Sequence, residues 1–325
     1  MSSLRDRFRE GLYDSEQKPR LAFARNYFLE FALNKNIDFD ELEKFYVGWR
    51  DYDEYVVFQK QTDKLTVTGE IEKETVAIKG AKRGNDVYAW RIWKRLKFLY
   101  TLKNRSFFDP HGNVKSSNLL FVTLTYDVKL STIREAWETI GEDFNRWIRN
   151  LRKKYGRVSY LRCWEASKRG YPHVHLLMIF HDYTFRIDVR KSTNSKYRIA
   201  EKEAFEKSYH SFVDVQAIRK MREGINYVTK YLLKSTSESQ TQVLTLALCW
   251  LFRKRSYAVS GDLYDVIQTS IGHRRLIQTN LMGEEVSFNV VWVFIGIFPA
   301  EKLGITRNEW RKTITDRHIL SEILT

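Results

Sequence analysis

The stretch 171–180, YPHVHLLMIF, constrains this chain more than any other. Its side chains are β-formers, and the two-residue period of a strand puts His173 and His175 on one face. Two imidazoles so placed can chelate one divalent ion. In a chain with seven histidines they can equally be an ordinary surface or hydrogen-bonded pair, and the run alone does not choose.

The flanking segments supply a sheet for this strand. Residues 118–126, NLLFVTLTY, read as a strand, after which Ser131 or Thr132 caps an amphipathic helix running to about residue 155. Ile133, Trp137, Ile140, Phe144, Trp147, Ile148 and Leu151 form its inward stripe. Arg146, Arg149, Arg152, Lys153 and Lys154 make its last turns basic, which suits both the carboxyl end of a helix dipole and a DNA-facing surface. Residues 158–165 form the next strand and 166–170 a polar turn. An antiparallel hairpin then brings Glu165 beside His173 and His175. Further on, 182–196 reads as a loop or short edge extension, 201–208 as a short helix and 211–218 as a strand. Residues 223–234 and 241–252 read as helices, and 287–298 as a β-rich run.

Towards the amino terminus, 21–33 and 38–50 have helical spacing, the second with Asp38 or Asp40 as N-cap. Residues 64–79 alternate as a hairpin turning at Glu72 and Lys73. The basic turn at 79–85 lacks the GxxxxGK[ST] pattern of a nucleotide-binding loop. A basic amphipathic helix is expected over 86–103, and the turn at 109–112 marks the main boundary. The expected organisation is therefore 1–110 as a mainly helical accessory region with a β-hairpin, 111–236 as the core, and 237–325 as a second accessory region.

A net charge of +15 favours a polyanionic partner. The longest apolar run, at 290–298, is too short to span a bilayer, so no membrane partner is expected. Cys163 and Cys249 are far apart and read as reduced, buried thiols of a cytoplasmic protein.

The second informative stretch is 227–234, YVTKYLLK. Tyr227 and Tyr231 fall one turn apart on one helix face, with Lys230 and Lys234 repeating the interval beside them. Alone, this octapeptide is better read as two interfacial aromatics with snorkelling lysines. It does not stand alone. A phenol with a reference pKa of about 10 is a poor nucleophile, and attack on a phosphodiester calls for a cation to stabilise the developing charge. Such a cation is what a histidine pair with a carboxylate can hold.

The order FVTLT at 121–125, HVH at 173–175 and YVTKYLLK at 227–234 resembles the three motifs of HUH endonucleases. The closer resemblance is to the two-tyrosine rolling-circle replication initiators of plasmids and viruses, and it covers about residues 118–235. It implies an α+β fold whose central antiparallel, RRM-like sheet is flanked by helices, with added N- and C-terminal elements. It also implies a single-strand DNA nick that leaves a 5′-phosphotyrosine and a free 3′ hydroxyl. Tyr227 and Tyr231 then match the nucleophiles, Lys230 and Lys234 the associated lysines, and His173 and His175 two ligands of Mg²⁺ or Mn²⁺.

Glu165 is the expected third ligand, with Asp127 and Asp214 in reserve. DNA contacts are expected from Arg146, Arg149, Lys153, Lys154, Lys168 and Arg169, with Trp164 or Tyr171 stacking on an unpaired base. The expected partners are single-stranded or hairpin origin DNA and a separate helicase and polymerase, the location being the host cytoplasm if the source is a virus. Monomer and dimer stay open. A two-tyrosine transposase and a noncatalytic single-strand binding protein are the alternatives.

Overall fold

Alternation at 119–125, 158–166 and 172–180 is realised as neighbouring strands of one antiparallel sheet. The computed structural model describes residues 10–15, 18–32, 39–65, 71–101, 106–108, 111, 114–193, 196–233, 240–260, 262–263, 277–279, 285–287, 290–306 and 309–324. In chain order the elements begin with helices α1 (Leu21–Tyr27) and α2 (Phe39–Asp51), strands β1 (Glu54–Leu65) and β2 (Ile71–Lys79), and helix α3 (Asp86–Leu96). Strands β3 (Ser106–Phe108), β4 (Val114–Ser117) and β5 (Leu119–Thr125) precede the long helix α4 (Ile133–Tyr155). Then come β6 (Val158–Ala166), β7 (Pro172–Phe180), β8 (Phe185–Arg186), α5 (Lys202–Lys207), β9 (Phe212–Ala217), α6 (Met221–Leu233) and α7 (Gln240–Leu251). Strands β10 (Tyr257–Val259), β11 (Ile277–Thr279), β12 (Glu285–Ser287), β13 (Val290–Pro299) and β14 (Arg311–Thr313) lead to helix α8 (Arg317–Leu324).

Packing divides the chain into two units, Met1–Trp49 with Ala89–Ser270 and Arg50–Tyr88 with Ile271–Thr325. This differs from three consecutive regions split at 110 and 236. Residues 1–49 contribute Leu12, Tyr27, Phe28, Phe45 and Tyr46 to the same core as the motif strands, with Trp250 of α7 against Phe28, Phe45 and Tyr46. The 50–88 hairpin instead pairs with the C-terminal strands.

In the first unit the sheet order is β10-β6-β7-β5-β9, with every pairing antiparallel. One face is apolar throughout. Leu120, Val122 and Leu124 of β5, Val174, Leu176 and Met178 of β7, and Val213 and Val215 of β9 pack there against Trp137, Ile140, Phe144 and Trp147 of α4. The inward stripe expected for α4 is the observed one, with only Ile133 at its start less than fully buried. Full burial of a side chain such as Phe144 contributes about 1.5–3 kcal/mol. The opposite face carries the alternate residues, including His173 and His175, and α6 lies over it.

In the second unit the sheet order is β13-β1-β2-β14. Tyr55, Val57 and Ala77 on one face pack with Leu303, Ile305, Ile314 and Ile323. The hairpin does not turn at Glu72 and Lys73. Both lie inside β2, where Lys73 pairs with Gln61, and the connection falls at 66–70, outside the described residues. Neither Glu72 nor Lys73 supplies turn chemistry, whereas the interior alternation at 75 and 77 extends the ladder.

Other elements depart from the sequence reading at their ends. The helix expected over 86–103 is α-helical only to Leu96 and continues as a 3₁₀ turn, Lys97–Thr101, whose tighter winding keeps Leu96 and Leu99 both buried. Over 21–33, α1 gives way to a π-helical turn, Phe28–Ala32. The basic turn at 79–85 is tied down by ion pairs from Lys79 to Asp53 and from Lys82 to Glu54. Both cysteines are buried thiols, as expected.

Thr132, at the start of α4, closes a capping box. Its hydroxyl accepts from the Glu135 N–H at 3.2 Å while its own N–H donates to the Glu135 carboxylate at 2.7 Å. Thr132→Ala is expected to cost about 1 kcal/mol. Urea denaturation at neutral pH should show a lower midpoint with an unchanged slope.

Candidate functional site

The turn at 167–171 sets the geometry of the histidines. Gly170 there has φ +82°, and a Cβ on it would stand 2.4 Å from the Phe39 ring, so the tight approach of chain to ring requires glycine. The hairpin that follows places Glu165 opposite His173 and Cys163 opposite His175. On the other side of β7, Thr125 lies opposite His173 and Thr123 opposite His175.

His173, His175, Glu165, Thr123 and Phe121 therefore share one face. The Glu165 carboxylate lies 2.5 Å from His175 Nε2, and the Thr123 hydroxyl lies 3.2 Å from His175 Nδ1. The Phe121 ring is nearly parallel to the imidazole of His175, with centroids 5.8 Å apart.

Helix α6 crosses this face at close range. A Cβ on Gly224 would stand 2.5 Å from Leu177 Cδ1, and Cys163 Sγ lies 4.0 Å from the Val228 carbonyl oxygen. One turn on from Gly224, the half-exposed ring of Tyr227 meets Phe121 edge to face, with centroids 4.2 Å apart. Phe121 thus stands between His175 and Tyr227 and touches both. The side chains of Lys230 and Tyr231, and the whole of Lys234, lie outside the described residues.

The donor set of two imidazoles and one carboxylate on adjacent strands is one that divalent ions accept. Among the described residues, no three His, Cys, Asp or Glu side chains already stand in a ligand geometry, because Glu165 is hydrogen-bonded to His175. An ion would replace the proton shared by that pair. The residues present fit such an ion chemically, with a turn of the Glu165 carboxyl group.

The remaining expected residues separate into two groups. Asp127 caps a turn by accepting from the Lys129 N–H, and Asp214, opposite Thr123 on β9, is ion-paired with Arg198. Lys168 and Arg169 are exposed in the turn that leads into the histidine strand. Arg146, Arg149, Lys153 and Lys154 belong to α4, which packs on the opposite face of the sheet, so a layer of sheet and helix lies between them and the histidines. Trp164 does not offer its ring to a base, being buried in the core beneath the Arg162 guanidinium, 4.2 Å away. Tyr171 is half-buried, with its hydroxyl donating to the Ser131 carbonyl at 2.9 Å.

Beside Tyr227 the same face opens into a cavity of about 300 Å³. Phe121, Thr123, Tyr197, Asp214, Gln216 and Arg219 are among its walls. Sequence reasoning missed Phe121, Thr123 and Gln216 as site residues. Strand parity could have found the first two, since both alternate in register with the histidines.

Residues 119–236 match a family model, that of the ORF2 type of replication-associated protein. The matched segment runs from the start of β5 past the end of α6, and so includes every residue of the histidine and tyrosine constellation. It is consistent with a role in the initiation of replication, which implies DNA as partner. No curated protein and no solved structure matches the chain. Among the described residues, no helix is long and apolar enough to cross a membrane.

Burial disfavours the charged form of His173, and His175 adds to that effect against the opposing pull of Glu165, so its pKa lies below the usual 6.5. The unfolded chain therefore takes up this proton first, and stability is lost as pH falls from 6.5 through the folded-state midpoint. In EDTA, proton NMR should place the His173 midpoint below 6.5. A midpoint above that value would contradict the burial argument.

Proposed function

We propose that this protein initiates rolling-circle replication by nicking and rejoining single-stranded origin DNA, with Tyr227 as nucleophile. The observation that carries the reading is the alignment of His175, Phe121 and Tyr227 on one sheet face, with Glu165 and His173 beside them. The match of residues 119–236 to a replication-associated family supports replication over transposition as the context.

In the proposed step, the Tyr227 phenol oxygen bonds to phosphorus as the bond from phosphorus to the 3′ oxygen breaks. The phenol loses its proton and the departing 3′ oxygen gains one. The product is a 5′-phosphotyrosine with a free 3′ hydroxyl, available to a polymerase supplied separately, as is the helicase. Because the adduct keeps a phosphodiester bond, attack by a 3′ hydroxyl reverses the step without ATP.

A Mg²⁺ or Mn²⁺ ion held by His173, His175 and Glu165 would stabilise negative charge on the phosphate oxygens. Thr123 orients His175 through Nδ1, and Phe121 spaces the phenol from the imidazole. Lys168 and Arg169, at the turn entering β7, are proposed to hold the strand by its backbone. Tyr231, one helical turn further along α6, is the proposed second nucleophile, with Lys230 and Lys234 offsetting charge.

Labelled single-stranded and hairpin DNA, incubated with Mg²⁺ or Mn²⁺, should yield a labelled protein band that survives a denaturing gel. Y227F should reduce that band roughly tenfold or more, Y227F/Y231F should abolish it, and both should still bind DNA. A band that persists in the double variant would remove the tyrosines from the chemistry. Binding without any adduct in the wild type would favour a noncatalytic single-strand binder.

A further inference from the structure

We infer that the cavity beside Tyr227 seats one unpaired nucleobase of the strand being cut and that Gln216 reads it, an inference that rests on the nicking function proposed above. Gln216 on β9 is the direct register partner of Phe121 on β5, so its side chain shares the face of the ring that touches Tyr227. A bridge between Tyr197 and Ala217, with the Ala217 N–H donating to the Tyr197 carbonyl at 2.8 Å, draws residues 196 and 197 alongside β9 as the outer wall. Tyr227 closes the same cavity, which measures about 300 Å³.

The chemistry of the walls selects the ligand. Lys196 and Arg219 are balanced by Asp214 and Glu223, and Asp214 is itself held by Arg198. A site with cations so matched does not favour a free phosphate. It suits a neutral group. The Gln216 amide makes no hydrogen bond to any described residue, and it offers one acceptor and two donors. Phe121 and Tyr197 present aromatic surface to the same space. A flat heteroaromatic ring with donors and acceptors along its edge meets all three demands, and an unpaired base has both its faces and its edge available for them. Because Tyr227 is one wall, a base seated here belongs to a nucleotide adjoining the phosphate presented to the phenol.

The test uses the full chain in EDTA, so that binding is read without cleavage. The four deoxynucleoside 5′-monophosphates and abasic deoxyribose 5-phosphate are titrated into wild type and into Gln216→Leu, with thermal melting to establish that the variant is folded. Wild type should prefer one base by about tenfold, a factor within the range of one amide-to-base contact. Gln216→Leu should bring the four within about twofold of one another while leaving the abasic control unchanged. Equal binding of all four by wild type, or a preference that survives in Gln216→Leu, overturns the inference. If Gln216→Leu fails to fold, Gln216→Glu, which keeps the shape but removes the amide donors, should change which base is preferred; an unchanged preference again overturns it.

A second arm sequences adducts formed on randomised single-stranded DNA with Mn²⁺. Wild type should show a base preference at one position next to the cut that is lost in Gln216→Leu. A preference in the titration with no adduct from wild type would count against the nicking function and leave the base subsite standing.

Discussion

A slip of one residue in the pairing of β6 with β7 would turn His173 and His175 into the hydrophobic core and bring Val174 and Leu176 out. The site depends on this register more than on any single contact. The register is over-determined: Val174, Leu176, Met178 and Phe180 are buried on the α4 face, and the tight turn at Gly170 fixes the start of the strand. Neighbouring strands inherit the same constraint. Thr123 reaches His175, and Glu165 reaches across from β6, because apolar burial on the far face leaves each no other side to occupy.

Much of this was legible in the sequence. A period of two through 119–125 and 172–180 and a 3.6 period through 133–155 are strong signals, since each is written by a core that rewards one face only. The hairpin placing Glu165 near the histidines followed from a short polar turn. The carboxylate's contact with His175 rather than with its direct partner His173 did not, because side-chain direction across a pair is not encoded in spacing. The basic end of α4 misled for a related reason. Helical charge fixes which side of the helix meets solvent, but it carries no information about which side of the sheet the helix covers. Trp164 misled in the opposite sense: its parity with Ala166 and Val158 marks it as core, and that parity overrides the attraction of an aromatic beside a histidine motif.

Charge is also unevenly distributed. Basic and acidic residues cancel in the unit formed by 50–88 and 271–325, so the whole +15 resides on the unit that carries the histidines and Tyr227. Long-range attraction to a polyanion is therefore a property of that unit, independent of which residues make the final contacts.

Gly224 gives the constellation its reach. With hydrogen in place of a side chain, α6 settles directly onto Leu177 and Ile218, and the residue three places on hangs at the level of Phe121. Alanine would ask only for a new rotamer of Leu177. Anything bulkier would act as a shim under the helix, raising the phenol away from the imidazoles, so the thickness of one backbone position calibrates the working gap of the whole machine.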